Sequence, residues 1–236
     1  MNLLSLAERL AALDSTPIRL EADRCLHARV KSATCDACIR ACPTQAVRLN
    51  GSITLNAEAC VACGACLPVC PTGAFDGKDG IADLLKCAGR VGPGRVIELA
   101  CAQLPAPGKG ATEAEALVRT IGCLAALGPS AYLSLLALGV QRVCVRLDAC
   151  VSCPIGQARA PIAAAIAQTH QWLELYGLTD RIVALNVVDD RKDRRIQETK
   201  STTVSRRSLF RIFAAEAPRQ IGRVVIGDIH NQKPSD

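Results

Sequence analysis

Four cysteines spaced Cys60-x2-Cys63-x2-Cys66-x3-Cys70 and closed by Pro71 constrain this chain more than any other feature. Spacing this tight puts three thiols on one loop, where they fit three corners of a cuboidal [4Fe–4S] cluster. The fourth thiol, just before a proline, points away toward a second cluster. A zinc ribbon is the bland alternative, but it uses two separated cysteine pairs rather than a run of four. The run also has an echo. Residues 35–47 read CDACIRACPTQAV and residues 63–75 read CGACLPVCPTGAF, so Cys35, Cys38, Cys42 and Pro43 align with Cys63, Cys66, Cys70 and Pro71 at an offset of 28. Between the copies, Asn50-Gly51 in AVRLNGSITLN predicts a tight hairpin. The offset brings Ser32 to the place of Cys60, so the first copy lacks its leading thiol. Cys25 lies upstream, beyond the basic stretch LHARVKSAT, which can loop back to supply the missing ligand. A three-iron cluster without Cys25, and Cys25 as an unrelated free thiol, are open at this point. His27 reads as a solvated loop histidine.

On that motif and its echo, roughly residues 20–78 resemble the bacterial two-cluster ferredoxins. The resemblance implies an α+β ferredoxin-like module with two ligand sets. Carried over residue by residue, Cys60, Cys63, Cys66 and Cys42 hold one [4Fe–4S] cluster, and Cys35, Cys38, Cys70 and Cys25 hold the other. Such clusters exchange single electrons, at potentials spanning roughly −700 to +450 mV.

Fourteen cysteines in 236 residues raise the question of redox compartment. Disulfide frameworks belong to small exported domains. The opening stretch MNLLSLAERLAALDSTP has no basic leader region, and Glu8 and Arg9 interrupt its apolar run, which argues against a secretory signal. Leu3, Leu6, Leu10 and Leu13 recur at helical spacing and predict an amphipathic helix over residues 1–19. A cytoplasmic protein with metal-binding thiols is the expectation. Half the residues are apolar and only 3% aromatic, so alanine, leucine and valine must build the core, and a disordered or fibrous chain is excluded. A net charge of +6 is no nucleic-acid signature, and no nucleic-acid partner is expected. Residues 120–141 are uncharged and long enough for a bilayer, but Gly128-Pro129 divides them, so no membrane span is expected.

After Gly77-Lys78-Asp79-Gly80 the pattern changes. Residues 81–89 predict a short helix and Val91-Gly92-Pro93-Gly94 a break. Strands are expected at 95–100 (RVIELA), within 113–122 around ALVRTIG, at 142–147 (RVCVRL) and at 181–188 (RIVALNVV). Helices are expected between them: one at 129–138, opening on Pro129, and one at 158–176, with Ile162, Ile166, Leu173 and Tyr176 on one face. This alternation predicts an α/β parallel-sheet domain, flavodoxin-like, over residues 81–190. Cys101, Cys123 and the pair Cys150 and Cys153 each follow a strand. Parallel strands present their carboxyl ends on one edge, where ligands bind, so four thiols from three loops are expected to converge. A metal cluster, a redox dithiol and plain structural thiols all fit that pattern. The Cys150–Cys153 pair, ahead of a helix, is expected to have lowered thiol pKa values. Cys144, inside a strand, reads as core, His170 as a surface residue, and Cys87 has no assigned role.

The stretch VRTIGCLAALGPSAYLSLLALGVQRVCVRLDACVSC shows strand, cysteine, helix, Gly-Val before a strand, then paired cysteines. On it, about residues 95–188 resemble the small iron–sulfur (delta) subunit of methyl-viologen-reducing hydrogenase. That resemblance implies a [2Fe–2S] cluster besides the two [4Fe–4S] clusters. It also implies a partner oxidoreductase: a hydrogenase, a dehydrogenase or a heterodisulfide-reductase-like flavoprotein. Residues 191–236 read as a basic tail. DDRKDRRIQETK, residues 189–200, reads as a solvated linker into it, and Ser205-Arg206-Arg207-Ser208-Leu209-Phe210-Arg211 as an interaction element rather than an export motif, since export machinery reads such motifs at the N-terminus. The expected function is an electron relay between a partner oxidoreductase and another redox subunit. Two alternatives stand beside it: an oxidoreductase acting on a small molecule at the strand-end cysteines, and an assembly factor for a partner enzyme. No base, nucleophile triad or Gly-x-Gly-x-x-Gly loop accompanies the thiols, which favours the carrier.

Overall fold

In a computed structural model of the chain, residues 18–101, 114–120, 122–186 and 195–198 are described. The N-terminal module consists of Ile18–Leu20 (β1), Leu26–Arg29 (α1), Ala37–Ala41 (α2), Val47–Asn50 (β2), Ser52–Leu55 (β3), Cys66–Val69 (α3) and Phe75–Gly77 (β4). Asn50-Gly51 turns the chain as its sequence predicts. β2 and β3 pair antiparallel with Val47 opposite Leu55, and Gly51 takes φ +74°, which costs a glycine nothing sterically. A second antiparallel ribbon joins β1 to β4, Leu20 opposite Phe75. The two ribbons repeat one another: Asn56 N–H donates to the Ala46 carbonyl and Glu21 N–H to the Ala74 carbonyl, both at 2.8 Å. Residues 18 and 19 therefore belong to a strand and not to the N-terminal helix expected over 1–19, the rest of which lies outside the described residues. A three-residue strand draws its stability from its partner and from burial of Ile18, neither of which leaves a local periodicity.

The second part runs Ile81–Val91 (α4), Val96–Ala100 (β5), Ala116–Arg119 (β6), Pro129–Ala137 (α5), Arg142–Arg146 (β7), Arg159–Glu174 (α6), Ile182–Leu185 (β8) and Arg195–Glu198 (β9). Its strands form one sheet in the order β8-β7-β5-β6-β9, with every neighbouring pair parallel. The four expected strands are present, each shorter than its sequence pattern. β9 is an addition, lying in the charged run read as a solvated linker into the tail. Edge strands join a sheet through backbone bonds, so they need no apolar pattern of their own. The rest of the tail falls outside the described residues. All five residues of β5 are buried, as suits a central strand covered on both faces. Helix α4 packs on α5, and α5 on α6. Proline opens α5, where its missing N–H costs nothing.

Two side chains, Tyr176 and His170, differ from their expected places, and Cys144 is in the core as expected. α6 ends at Glu174, and Tyr176, expected on its buried face, is 76% exposed. His170 is half-buried, its Nε2 lying 2.7 Å from the Ile182 carbonyl and so tying α6 to β8. Cys144 is buried with Val96 and Ala114, and Cys87 lies on the buried side of α4. Among the described residues no helix is long and apolar enough to cross a membrane. These residues all fall within one compact unit, residues 1–202. In the sheet, β6-β5-β7-β8 follow a 2-1-3-4 order, so the winding reverses between β5 and β7. The crevice beyond that reversal is where doubly wound sheets bind ligands.

Candidate metal centres

The sequence repeat is also a geometric repeat. Cys42 ends α2 with φ −78° and ψ 111°, and Cys70 ends α3 with φ −77° and ψ 113°. Ala46 N–H donates to Cys42 Sγ, and Ala74 N–H to Cys70 Sγ, both at 3.2 Å. The Thr44 and Thr72 hydroxyls lie 3.8 and 3.6 Å from the same sulfurs. Thr44 gives its one hydroxyl hydrogen to the Ala59 carbonyl at 2.7 Å, which ties the first turn to the loop that starts at Cys60. Burial alone would raise both thiols. The backbone amides of Val47, Thr44 and Ala46 on one side, and those of Ala74, Thr72 and Gly73 with the Thr72 hydroxyl on the other, outweigh it. Cys42 and Cys70 both end below the ordinary thiol value.

The other matched pair moves the opposite way. Burial pushes Cys38 up to about 11, and the neighbouring Cys70, Cys35 and Cys25 add to the rise. Burial likewise pushes Cys66 up to about 12, with Cys63, Cys60 and Cys42 adding. Those neighbours sort eight thiols into two groups: Cys25, Cys35, Cys38 and Cys70 in one, Cys42, Cys60, Cys63 and Cys66 in the other. Each group takes one thiol from the opposite repeat, because the extended residue that ends each short helix turns its sulfur away from its own loop.

Cys25 reaches its group through the insertion. It sits at the N-cap of α1, 8% exposed and packed in the module's core with Cys38 and Cys66. His27 Nε2 lies 2.6 Å from the Cys35 carbonyl, and Arg29 Nε donates to the Asp23 carbonyl at 3.1 Å. His27 is thus a tie between the insertion and the first cysteine loop, where the sequence suggested a solvated residue. The length of the insertion hid this, since its return depends on contacts with residues eight positions away.

No disulfide joins any of the fourteen cysteines. Among the described residues, no three His, Cys, Asp or Glu side chains converge on a single ion. A cuboidal cluster needs no such convergence, because its four thiolates bind different irons. Four sulfur donors per group, with backbone N–H groups aimed at Cys42 and Cys70, form a donor set that fits [4Fe–4S].

The strand-end cysteines share a cavity of about 200 Å³ beyond the carboxyl edge of the sheet. Cys101, Cys123, Cys150 and Cys153 all line it, as do Val61 and Ala62 from the loop between Cys60 and Cys63. Burial pushes Cys123 up to about 12; the Ala125 N–H opposes the shift, while Cys63, Cys101 and Cys150 add to it. Cys150 is raised too, by burial and then by Cys101 and Cys153, with Arg159 opposing. The lowered value expected for Cys150 is therefore wrong in sign. Cys150 stands on the 3-10 turn Asp148–Val151, α6 begins only at Arg159, and a helix dipole fades within its first turn.

Sequence reasoning missed a buried charged group inside the sheet. Glu98, in the middle of β5, is fully buried, and its carboxylate lies 3.7 Å from the Arg146 guanidinium at the end of β7. Arg146 also forms a two-pronged contact with Asp148, at 2.8 Å from Nε and 2.5 Å from Nη2. Asp148 opens the turn that carries Cys150, so this chain of charges anchors a thiol-bearing loop to the central strand. The available signal was the charge that interrupts the apolar residues after the opening arginine in each of the runs RVIELA and RVCVRL.

No curated protein matches the chain. Residues 33–74 match the family model of 4Fe–4S dicluster domains, a span that takes in seven of the eight thiols of the first two groups and leaves Cys25 outside. This part of the chain is thus similar to 4Fe–4S dicluster domains, and iron–sulfur electron transfer is the chemistry that similarity carries.

Proposed function

We propose that the protein relays electrons between a partner oxidoreductase and another redox subunit in the cytoplasm. One [4Fe–4S] cluster is held by Cys25, Cys35, Cys38 and Cys70, and a second by Cys42, Cys60, Cys63 and Cys66. A third centre, a [2Fe–2S] cluster, is held by Cys101, Cys123, Cys150 and Cys153. The observation that carries this reading is the crossing of Cys42 and Cys70 between the repeats, because interleaved sets of four serve two adjacent clusters. Bound clusters supply one-electron transfer. The chain's own residues hold them, bury them away from water and aim N–H groups at their sulfurs, all of which tune potential. In this reading residues 20–80 are the ferredoxin-like module. Residues 81–190 carry four strands in the flavodoxin-like 2-1-3-4 order, and the fifth, β9, just beyond them, lies at the other edge. The partner is a hydrogenase, a dehydrogenase or a heterodisulfide-reductase-like flavoprotein, in keeping with the resemblance of residues 95–188.

The thiol-lined cavity favours one second reading, in which the strand-end cysteines act as dithiols on a small disulfide-like substrate. Iron and acid-labile sulfide on anaerobically prepared protein separate the two. The relay requires about ten irons per chain. About eight irons, with reactive thiols at Cys101, Cys123, Cys150 and Cys153, would shift the assignment to the dithiol. Zinc without sulfide would end both.

A further inference from the structure

Two glycines stand where the N-terminal module meets the sheet. A Cβ at Gly64 would lie 2.7 Å from Ala126 Cβ, and one at Gly128 would lie 2.5 Å from Pro68 Cβ, closer than real side chains approach. Gly64 lies between Cys63 and Cys66, and Pro68 between Cys66 and Cys70. Ala126 and Gly128 belong to the segment that leaves Cys123, passes through the 3-10 turn Leu124–Ala126 and enters α5. Both contacts therefore clamp the loop of one thiol group onto the segment that bears Cys123. Ala126 is buried in the same apolar cluster as Cys66 and Leu67, so the seam is continuous with the module's core. The same loop sends Val61 and Ala62 onto the wall of the strand-end cavity, and Ala62 holds a left-handed φ of +54° there. No thiol of either N-terminal group lines that cavity itself; the residues that reach it from the module, Val61 and Ala62, lie between Cys60 and Cys63.

We propose that Gly64 and Gly128 are positioning residues that hold the centre on Cys42, Cys60, Cys63 and Cys66 against the strand-end centre, making it that centre's direct electron partner. The inference rests on the reading of the strand-end cysteines as a metal centre. The step is a one-electron exchange: one centre loses an electron, the other gains it, and no bond or proton is involved. The order of the relay follows, with the Cys25-containing set outermost.

Gly128 is the cleaner probe. Its φ of −89° and ψ of 177° suit any residue, so alanine there adds only the clash with Pro68, whereas Gly64 at φ +75° would add backbone strain. The experiment is EPR of the stepwise-reduced, anaerobically prepared full chain, with iron and sulfide counted on each sample. In the wild type, the strand-end signal should split by spin–spin interaction when the Cys63-bearing centre is reduced. Gly128→Ala should keep its iron yet narrow that splitting, because the interaction falls with the inverse cube of separation. Adding Pro68→Gly should restore it, and Gly89→Ala, with nothing within 4 Å of its new Cβ, should leave it unchanged. Full iron with an unchanged splitting in Gly128→Ala would overturn the positioning role. If that variant does not fold, the wild type decides: all three centres present without splitting would overturn the proposal. A wild type lacking the strand-end iron would instead remove the reading beneath it.

Discussion

Gln45 occupies a left-handed turn position, φ +55°, where the second repeat has Gly73 at φ +63°. A side chain in that region costs roughly 1–2 kcal/mol, of which a glycine gives back about 0.5–1 in extra unfolded-chain entropy. Gln45→Gly should therefore stabilise the loaded protein by roughly 0.5–1 kcal/mol, seen as a higher thermal midpoint with unchanged iron content. Arg146 stands in a harsher place, 4% exposed against a Glu98 that is wholly buried. Removing the guanidinium as Arg146→Met takes the opposite charge away from that buried carboxylate, and such broken pairs cost roughly 3–5 kcal/mol. Denaturant unfolding should show that loss, and Glu98→Gln in the same background should recover part of it. Equal stability of Arg146→Met and wild type would mean that the charges are not coupled. Of these residues, only the Gln45–Gly73 mismatch could be read in advance, because the repeat aligns them. The Glu98–Arg146 pair spans two strands, and parallel register alone decides which charges meet.

At the scale of elements, the insertion between Cys25 and Cys35 replaces a thiol that the second repeat supplies from a neighbouring turn. Helix α1 and the tie from His27 to the Cys35 carbonyl return the chain to the module, with Cys25 buried at its start. Cys25→Ala should cost one iron or yield a three-iron EPR signal, while the cluster on Cys42, Cys60, Cys63 and Cys66 keeps its own. Unchanged iron and spectra would make Cys25 a bystander. The hairpin at Gly51, the helix opening on Pro129 and the order of strands and helices were all legible, because each has a local cause: a turn glycine, a fixed φ, a run of apolar residues. β1 and β9 were not, because short strands paired mainly through backbone bonds carry no pattern of their own.

For the whole molecule, the two parts differ in what holds them. Three of the ten buried residues in the N-terminal core are cysteines, Cys25, Cys38 and Cys66, whereas the sheet buries Ile97, Leu99, Leu117, Leu135 and Ile162 almost completely. Binding of metal is folding free energy for a module of the first kind. Stripping iron should therefore release the amides of residues 18–77 to hydrogen exchange while β5, β6 and β7 stay protected. Protection of both parts after iron loss would show that the apolar contacts of the module suffice. By itself the sequence determined the duplicated thiol loops, the alternation of the second part and the placement of a cysteine after each of three strands, since spacing and periodicity are properties of neighbours along the chain. The interleaving of Cys42 and Cys70 and the return of Cys25 came from the sequence only as what the resemblance implies; tertiary packing is what brings those thiols together, and it alone decided that the Cys63 loop shares a wall with the strand-end thiols. Those meetings depend on how distant segments pack, down to two glycines whose missing Cβ atoms let the module and the sheet touch.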